Sequence, residues 1–207
     1  MTKSQVELGQ LLTQLIARGE HEVVEFKRAK NNYDIDKLGQ YVSALANEAN
    51  LHSASQAWLV FGVHDDGRIE GTQYRELPKQ LGSLKHEVAQ GTSLNHGIRE
   101  IHELIHEQNR VLLCEIAPAP AGIPVAWKGK YCARDGESLT ELNISKLDEI
   151  RMQISGDWSA EVVAGATISD LDPVALEKAR EGFAAHNPSI PAEEINAWSD
   201  EEMLDAL

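Results

Sequence analysis

Apolar residues recur at helical spacing in the first stretch of the chain. Leu8, Leu11, Leu12, Leu15 and Ile16 line one face of a helix that Ser4 and Glu7 open as a capping box and that ends near Gly19. The following EHEVVEFK is β-branched and aromatic, and it predicts a strand over residues 22–27. After Asp34 the helical stripe returns, with Ile35, Leu38, Val42, Leu45 and Ala49 placed to pack one face on a sheet. AWLVFGV is an unbroken apolar run, the pattern of a buried central strand. The HDDGR that follows, then IEG, predicts a tight turn returning into a second strand.

Residues 77–89 repeat the helical spacing. REIHELIH and VLLCEIAP flank a polar Glu-Gln-Asn-Arg and predict either a hairpin or a helix followed by a strand. One or two further strands fall around Gly129 within residues 123–134, and a helix over 144–150. Beyond Gly156 the composition becomes loop-like until Asp172-Pro173, an N-cap and first-turn pair, starts a helix through Leu176, Ala179 and Phe183. Residues 187–191 read as a linker. Ser199 and Glu202 then open a last helix whose Met203, Leu204 and Leu207 are left with little to pack on, so further regions are expected beyond Leu207. The pattern predicts an α+β fold with a twisted, mainly antiparallel sheet flanked by helices over residues 1–150, and a small helical extension over 151–207.

Composition narrows the function classes. Of 207 residues 42% are hydrophobic, enough for a genuine core. No apolar run approaches the roughly 20 residues of a membrane span, and the N-terminus lacks the basic and apolar regions of a signal peptide. The expected location is the cytoplasm, with no membrane partner. Cys114 and Cys132 lie in strand-like stretches without CxxC spacing and are expected as buried free thiols. A net charge of −14 argues against a simple electrostatic nucleic-acid binder, but it is unevenly spread. Residues 1–150 hold 16 Lys/Arg against 21 Asp/Glu, a net of −5, and residues 151–207 hold 3 against 12, a net of −9.

Four segments in order carry a resemblance. EHEVVEFK, SALAN, GVHDDGRIEG and YCARDGES, within residues 18–142, resemble the signatures of the Schlafen-type AlbA-like domain of divergent AAA or RecG-like regulators. LDPVALEKAR is similar to the segment that joins this domain to downstream regions in those regulators. The resemblance implies the α+β fold and a nucleic-acid-binding module, for DNA in the first instance, of a bacterial transcriptional regulator. One departure is local: the family's Gly-Gly pair after the Ala-Asn helix end is replaced here by residues 50–56, which removes a tight turn and the backbone phosphate contact it would allow.

The binding reading rests on cations. Lys27 and Arg28 follow the first strand, Lys128 and Lys130 flank Gly129, and Arg134 lies beside Tyr131, which is placed to stack on a base or sugar. Arg134 has Asp135 and Glu137 as local alternatives for pairing. No metal is needed for binding. The enzyme alternative follows from the resemblance: Glu20, Glu25 and Asp65 match three carboxylates that hold Mg²⁺ or Mn²⁺ in Schlafen-type ribonucleases acting on RNA. In an uninterrupted strand Glu25 and Lys27 share a face and Glu20 does not, so Glu20 joins them only through a bend near Gly19. A third alternative is a protein-interaction scaffold using the acidic extension, and self-association is left open.

Two signals point elsewhere. His102-Glu103-Leu104-Ile105-His106 matches HExxH, which on a helix binds zinc. In the resembled family the segment is a strand, where the histidines stand about 13 Å apart and share no metal. ATP follows from the family label alone, since the sequence contains no GxxxxGK loop.

Overall fold

The computed structural model describes residues 3–154 and 165–206, and the chain divides into two compact units, Met1–Ser155 and Gly156–Leu207. Helix α1 (Gln5–Arg18) begins at the expected capping box: the Ser4 hydroxyl accepts the Glu7 N–H, and the Glu7 carboxylate accepts the Ser4 N–H. It buries Leu8, Leu12 and Leu15. Strand β1 (Val24–Lys27) leads to α2 (Ile35–Leu51), capped by Asp34, whose side chain accepts the Lys37 N–H. Strand β2 (Ala57–Phe61) is buried along its whole length, as its unbroken apolar run requires.

Helix α3 (Pro78–Gly91) precedes a hairpin of β3 (Glu100–His106) and β4 (Asn109–Ile116). This settles the ambiguous REIHELIH segment. Glu107 and Gln108 both take positive φ, 46° and 69°, in a two-residue turn whose twist matches the flanking strands. Four strands form one sheet in the order β1-β2-β4-β3, parallel between β1 and β2 and antiparallel elsewhere. A second, antiparallel sheet comprises β5 (Ala126–Trp127), β6 (Lys130–Asp135) and β7 (Ser138–Glu141), followed by α4 (Ile144–Met152).

Period two sorts the large sheet's side chains into two cores. Val24, Phe26, Trp58, Val60, Val111 and Leu113 pack with α1 on one face. Leu59, Phe61, Leu112, Cys114 and Ile116 pack with α2 and α3 on the other. Both cysteines are buried and free, and burial pushes the Cys114 thiol up to about 12.

Two expectations are corrected. The return of the HDDGR turn forms no strand but a single bridge, Val63 to Ile69. Both edges of β2 are already taken, by β1 and β4, and the Glu70 and Gly71 N–H groups converge on the Gly62 carbonyl. The HExxH segment is a strand, as in the resembled family, so the helical zinc geometry does not form, and the ring of His102 is buried 3.2 Å from Glu115. Met203 does find packing, being 1% exposed.

The second unit contains α5 (Pro173–His186), α6 (Ala192–Ala197) and α7 (Asp200–Asp205). Asp172 and Ser199 cap α5 and α7 as the sequence indicates, whereas α6 lies just beyond the expected linker. Arg180 ties these helices together, donating to the Ile195 and Trp198 carbonyls at 2.7 and 3.0 Å.

Candidate functional site

Glu25 and Lys27 stand on the α2 face of β1, because Val24 and Phe26 are committed to the α1 side. Glu20 joins them through a bend. Gly19 closes α1 at φ +74°, and His21 and Val24 exchange backbone hydrogen bonds of 3.1 Å, folding the chain back before β1 starts. The Glu20 carboxylate then accepts the Phe26 N–H at 2.6 Å on the open edge of β1. Lys27 Nζ sits between the two acids, paired with Glu25 and 3.7 Å from Glu20. It also lies 5.3 Å from the centre of the Tyr41 ring. Burial raises the Glu20 carboxyl above its ordinary range; the Phe26 hydrogen bond and Lys27 oppose this, and the charge of exposed Asp65 adds to it.

Arg134 forms the floor of the cluster. Its side chain is wholly buried and pairs with Glu25, not with neighbouring Asp135 or Glu137. Burial also lowers its affinity for its proton. A fully buried guanidinium is not placed to meet a phosphate at the surface, so Arg134 supports the site and is removed from the exposed phosphate contacts. Its backbone is fixed by a second buried acid: Glu48 Oε1 accepts the Arg134 N–H at 2.9 Å and Lys146 Nζ at 2.6 Å. Lys146 also donates to the Arg134 carbonyl at 2.7 Å.

On the same helix, Ser43 and Asn47, one turn apart, clamp the small sheet to α2. The Asn47 amide donates to the Val125 and Cys132 carbonyls, and Ser43 bonds the Val125 carbonyl and the Cys132 N–H. These clamp residues belong to the SALAN segment, yet their partners are 78 to 89 residues away. Polar residues interrupting the apolar stripe of a buried helix were the available signal for Ser43, Asn47 and Glu48. Nothing in the sequence pointed to Lys146.

The remaining cations lie at the surface. Lys128 and Gly129 form the positive-φ tip of the β5–β6 hairpin, at φ 46° and 82°. Lys128 Nζ reaches Asp36 at 2.5 Å and lies 5.3 Å from the Trp127 ring centre, while Lys130 pairs with Glu141 at 3.1 Å. Arg28 pairs with Glu70 at 2.9 Å. Tyr131 is 41% exposed. Lys37, for which the sequence pattern carries no signal, lies 5.9 Å from the Tyr41 ring centre, so Lys27 and Lys37 flank one aromatic side chain.

The carboxylates as arranged do not suit a divalent ion. Both oxygens of Glu25 are engaged, one by Arg134 and one by Lys27, and one Glu20 oxygen is taken by Phe26. Among the described residues no group of three or more His, Cys, Asp or Glu stands close enough to share a metal. Among the same residues no helix is long and apolar enough to cross a membrane.

Fold and site together define an α+β domain with an ionic centre under one face of its sheet and a cation-bearing hairpin beside it. The chain belongs to the Schlafen, AlbA_2 family, whose model matches residues 20–143, more than half its length. That is a nucleic-acid-related family. The fold is shared with the crystal structure of the DIP2311 protein from Corynebacterium diphtheriae, at 20% identity and a TM-score of 0.50. The match covers 91% of this chain and 35% of that one, so the chain spans about a third of that protein's length. No curated protein matches.

Proposed function

We propose that residues 20–143 bind nucleic acid, DNA in the first instance, through phosphate contacts of Lys37, Lys128 and Lys130, as part of a transcriptional regulator. The carrying observation is the β5–β6 tip. Lys128 and Lys130 project there with side chains 59% and 50% exposed, and their partners Asp36 and Glu141 are more than half exposed themselves. Exchanging such surface pairs for phosphate costs little, since exposed ion pairs contribute about 0–1 kcal/mol each. Tyr131 follows on the same strand with its ring available for stacking. Arg28 extends the phosphate-contacting set once it releases Glu70.

The test is fluorescence anisotropy of labelled DNA and RNA with the whole chain across a salt series. Binding should weaken with salt, and the double variant Lys128→Ala/Lys130→Ala should reduce the magnitude of the log–log slope by about 2. Absence of binding to either nucleic acid at low salt would sink the reading. Tighter binding to RNA would redirect it from DNA to RNA.

A further inference from the structure

We propose that Lys27 is a tethered cation that holds the place of a divalent metal ion in the Glu20–Glu25 cluster and keeps such ions out. The geometry has three parts. Lys27 Nζ contacts both carboxylates, and Arg134 closes Glu25 from the opposite side. The aliphatic stem leads to an ammonium held beside the Tyr41 ring, which favours a cation there. Lys27 is also the most exposed of the four charged groups: its side chain is 21% exposed, against 6% for Glu20, 1% for Glu25 and none for Arg134. It therefore stands between the buried carboxylates and the solvent from which an ion would come.

A divalent ion demands several oxygen ligands at about 2.0–2.6 Å and tolerates no ammonium among them. The point it would need is the one Nζ occupies. With Lys27 present, the added ion would also meet the positive charges of Lys27 and Arg134 at short range in a poorly solvated setting, where repulsion is strong. Take away the ammonium, and two carboxylates that already converge on one point are left with a single buried cation behind them. Asp65 is near enough to raise the Glu20 carboxyl, but it does not stand close enough to share an ion with Glu20 and Glu25, so the two glutamates carry the site. One side chain thus sets the cation selectivity of the cluster, whichever nucleic acid the domain binds.

The experiment measures Mn²⁺ binding to the whole chain by the electron paramagnetic resonance signal of free Mn²⁺. Lys27→Met should bind Mn²⁺ at least about tenfold more tightly than the wild type. Lys27→Arg should behave as the wild type, and Lys27→Met/Glu20→Gln should lose the gain. Thermal unfolding confirms that each variant is folded, with Lys27→Gln replacing Lys27→Met if the latter is not. The proposal is overturned if the wild type binds as tightly as the charge-removed variant. It is equally overturned if a folded charge-removed variant gains nothing, or if its gain survives Glu20→Gln.

Discussion

Asn47 grips Val125 by both backbone groups. Its Oδ1 accepts the Val125 N–H at 2.8 Å, and its Nδ2 donates to the Val125 carbonyl at 2.9 Å and to Cys132 at the same distance. A helix side chain thereby takes the part of a neighbouring strand, and the small sheet is held without a ladder to the large one. Asn47→Ala removes the partner of the buried Val125 N–H and one from the Cys132 carbonyl, while Ser43 still serves the Val125 carbonyl, at roughly 1–3 kcal/mol for each group orphaned. We expect a loss of at least ~2 kcal/mol in urea unfolding, and a change within 0.5 kcal/mol would show that water replaces the clamp.

The buried ion pair of Glu25 and Arg134 makes a second prediction. Arg134→Met leaves one oxygen of the buried Glu25 carboxylate without its partner, Lys27 holding only the other, and should cost about 3–5 kcal/mol. Adding Glu25→Met removes the stranded charge, so the double variant should be more stable than Arg134→Met alone. Equilibrium denaturation of the wild type, both single variants and the double variant decides this, and strictly additive losses would contradict the pairing.

Acid should weaken the α1 side of the sheet. Burial pushes the Glu115 carboxyl up, but hydrogen bonds from Lys3, His102 and Arg99 overcome this and hold it at about 2. A depressed carboxylate contributes stability that is complete above its unfolded value of 4.5 and is lost as pH falls toward 2. Between pH 5 and pH 2 the wild type should therefore lose on the order of 2–3 kcal/mol more than Glu115→Gln. Glu20 has the opposite sign. Its carboxyl is raised, so the fold binds that proton more tightly than the unfolded chain, and stability falls as pH rises above 4.5. Carboxylate chemical shifts through a pH titration should show Glu20 titrating well after Glu115.

Gln5 guards the outer edge of β3. Its amide donates to the Glu103 carbonyl at 2.9 Å and accepts the Ile105 N–H at 3.1 Å, completing two edge groups that would otherwise invite another strand. Gln5→Ala should unfold at nearly the wild-type denaturant concentration, within about 1 kcal/mol, yet associate more at high concentration. Light scattering across a concentration series checks it.

Much of the fold was legible because it is written in local periodicity. The Ser4–Glu7 capping box, the α2 stripe and the apolar run of β2 each specify their element without help from distant residues. The HDDGR return was misread because pairing depends on which edges of β2 remain free, and that is decided by β4, more than 40 residues later. The site was half legible. Alternation put Glu25 and Lys27 on one face and required a bend to bring in Glu20, and the Gly19–Val24 reversal supplies it. What periodicity could not convey was depth. Arg134 looks like any strand-end arginine beside two acids, and only the packing of β6 over α2 turns it inward onto Glu25. The replaced Gly-Gly turn has a local answer: Ser53 adopts φ +52° and the Ala54 N–H bonds the Ala49 carbonyl at 2.8 Å. A residue with a side chain thus makes the reversal.

Trp127 lies against two glycines, Gly39 of α2 and Gly91 at the end of α3, with no room for a methyl group at either. Its indole N–H donates to Asp36 at 3.0 Å and fixes the ring's orientation. Volume is therefore shared among positions 39, 91 and 127 as a single quantity. Lineages diverging from this chain can enlarge position 39 or 91 only where Trp127 gives way to a smaller side chain, so the sites are expected to change together although they are up to 88 residues apart.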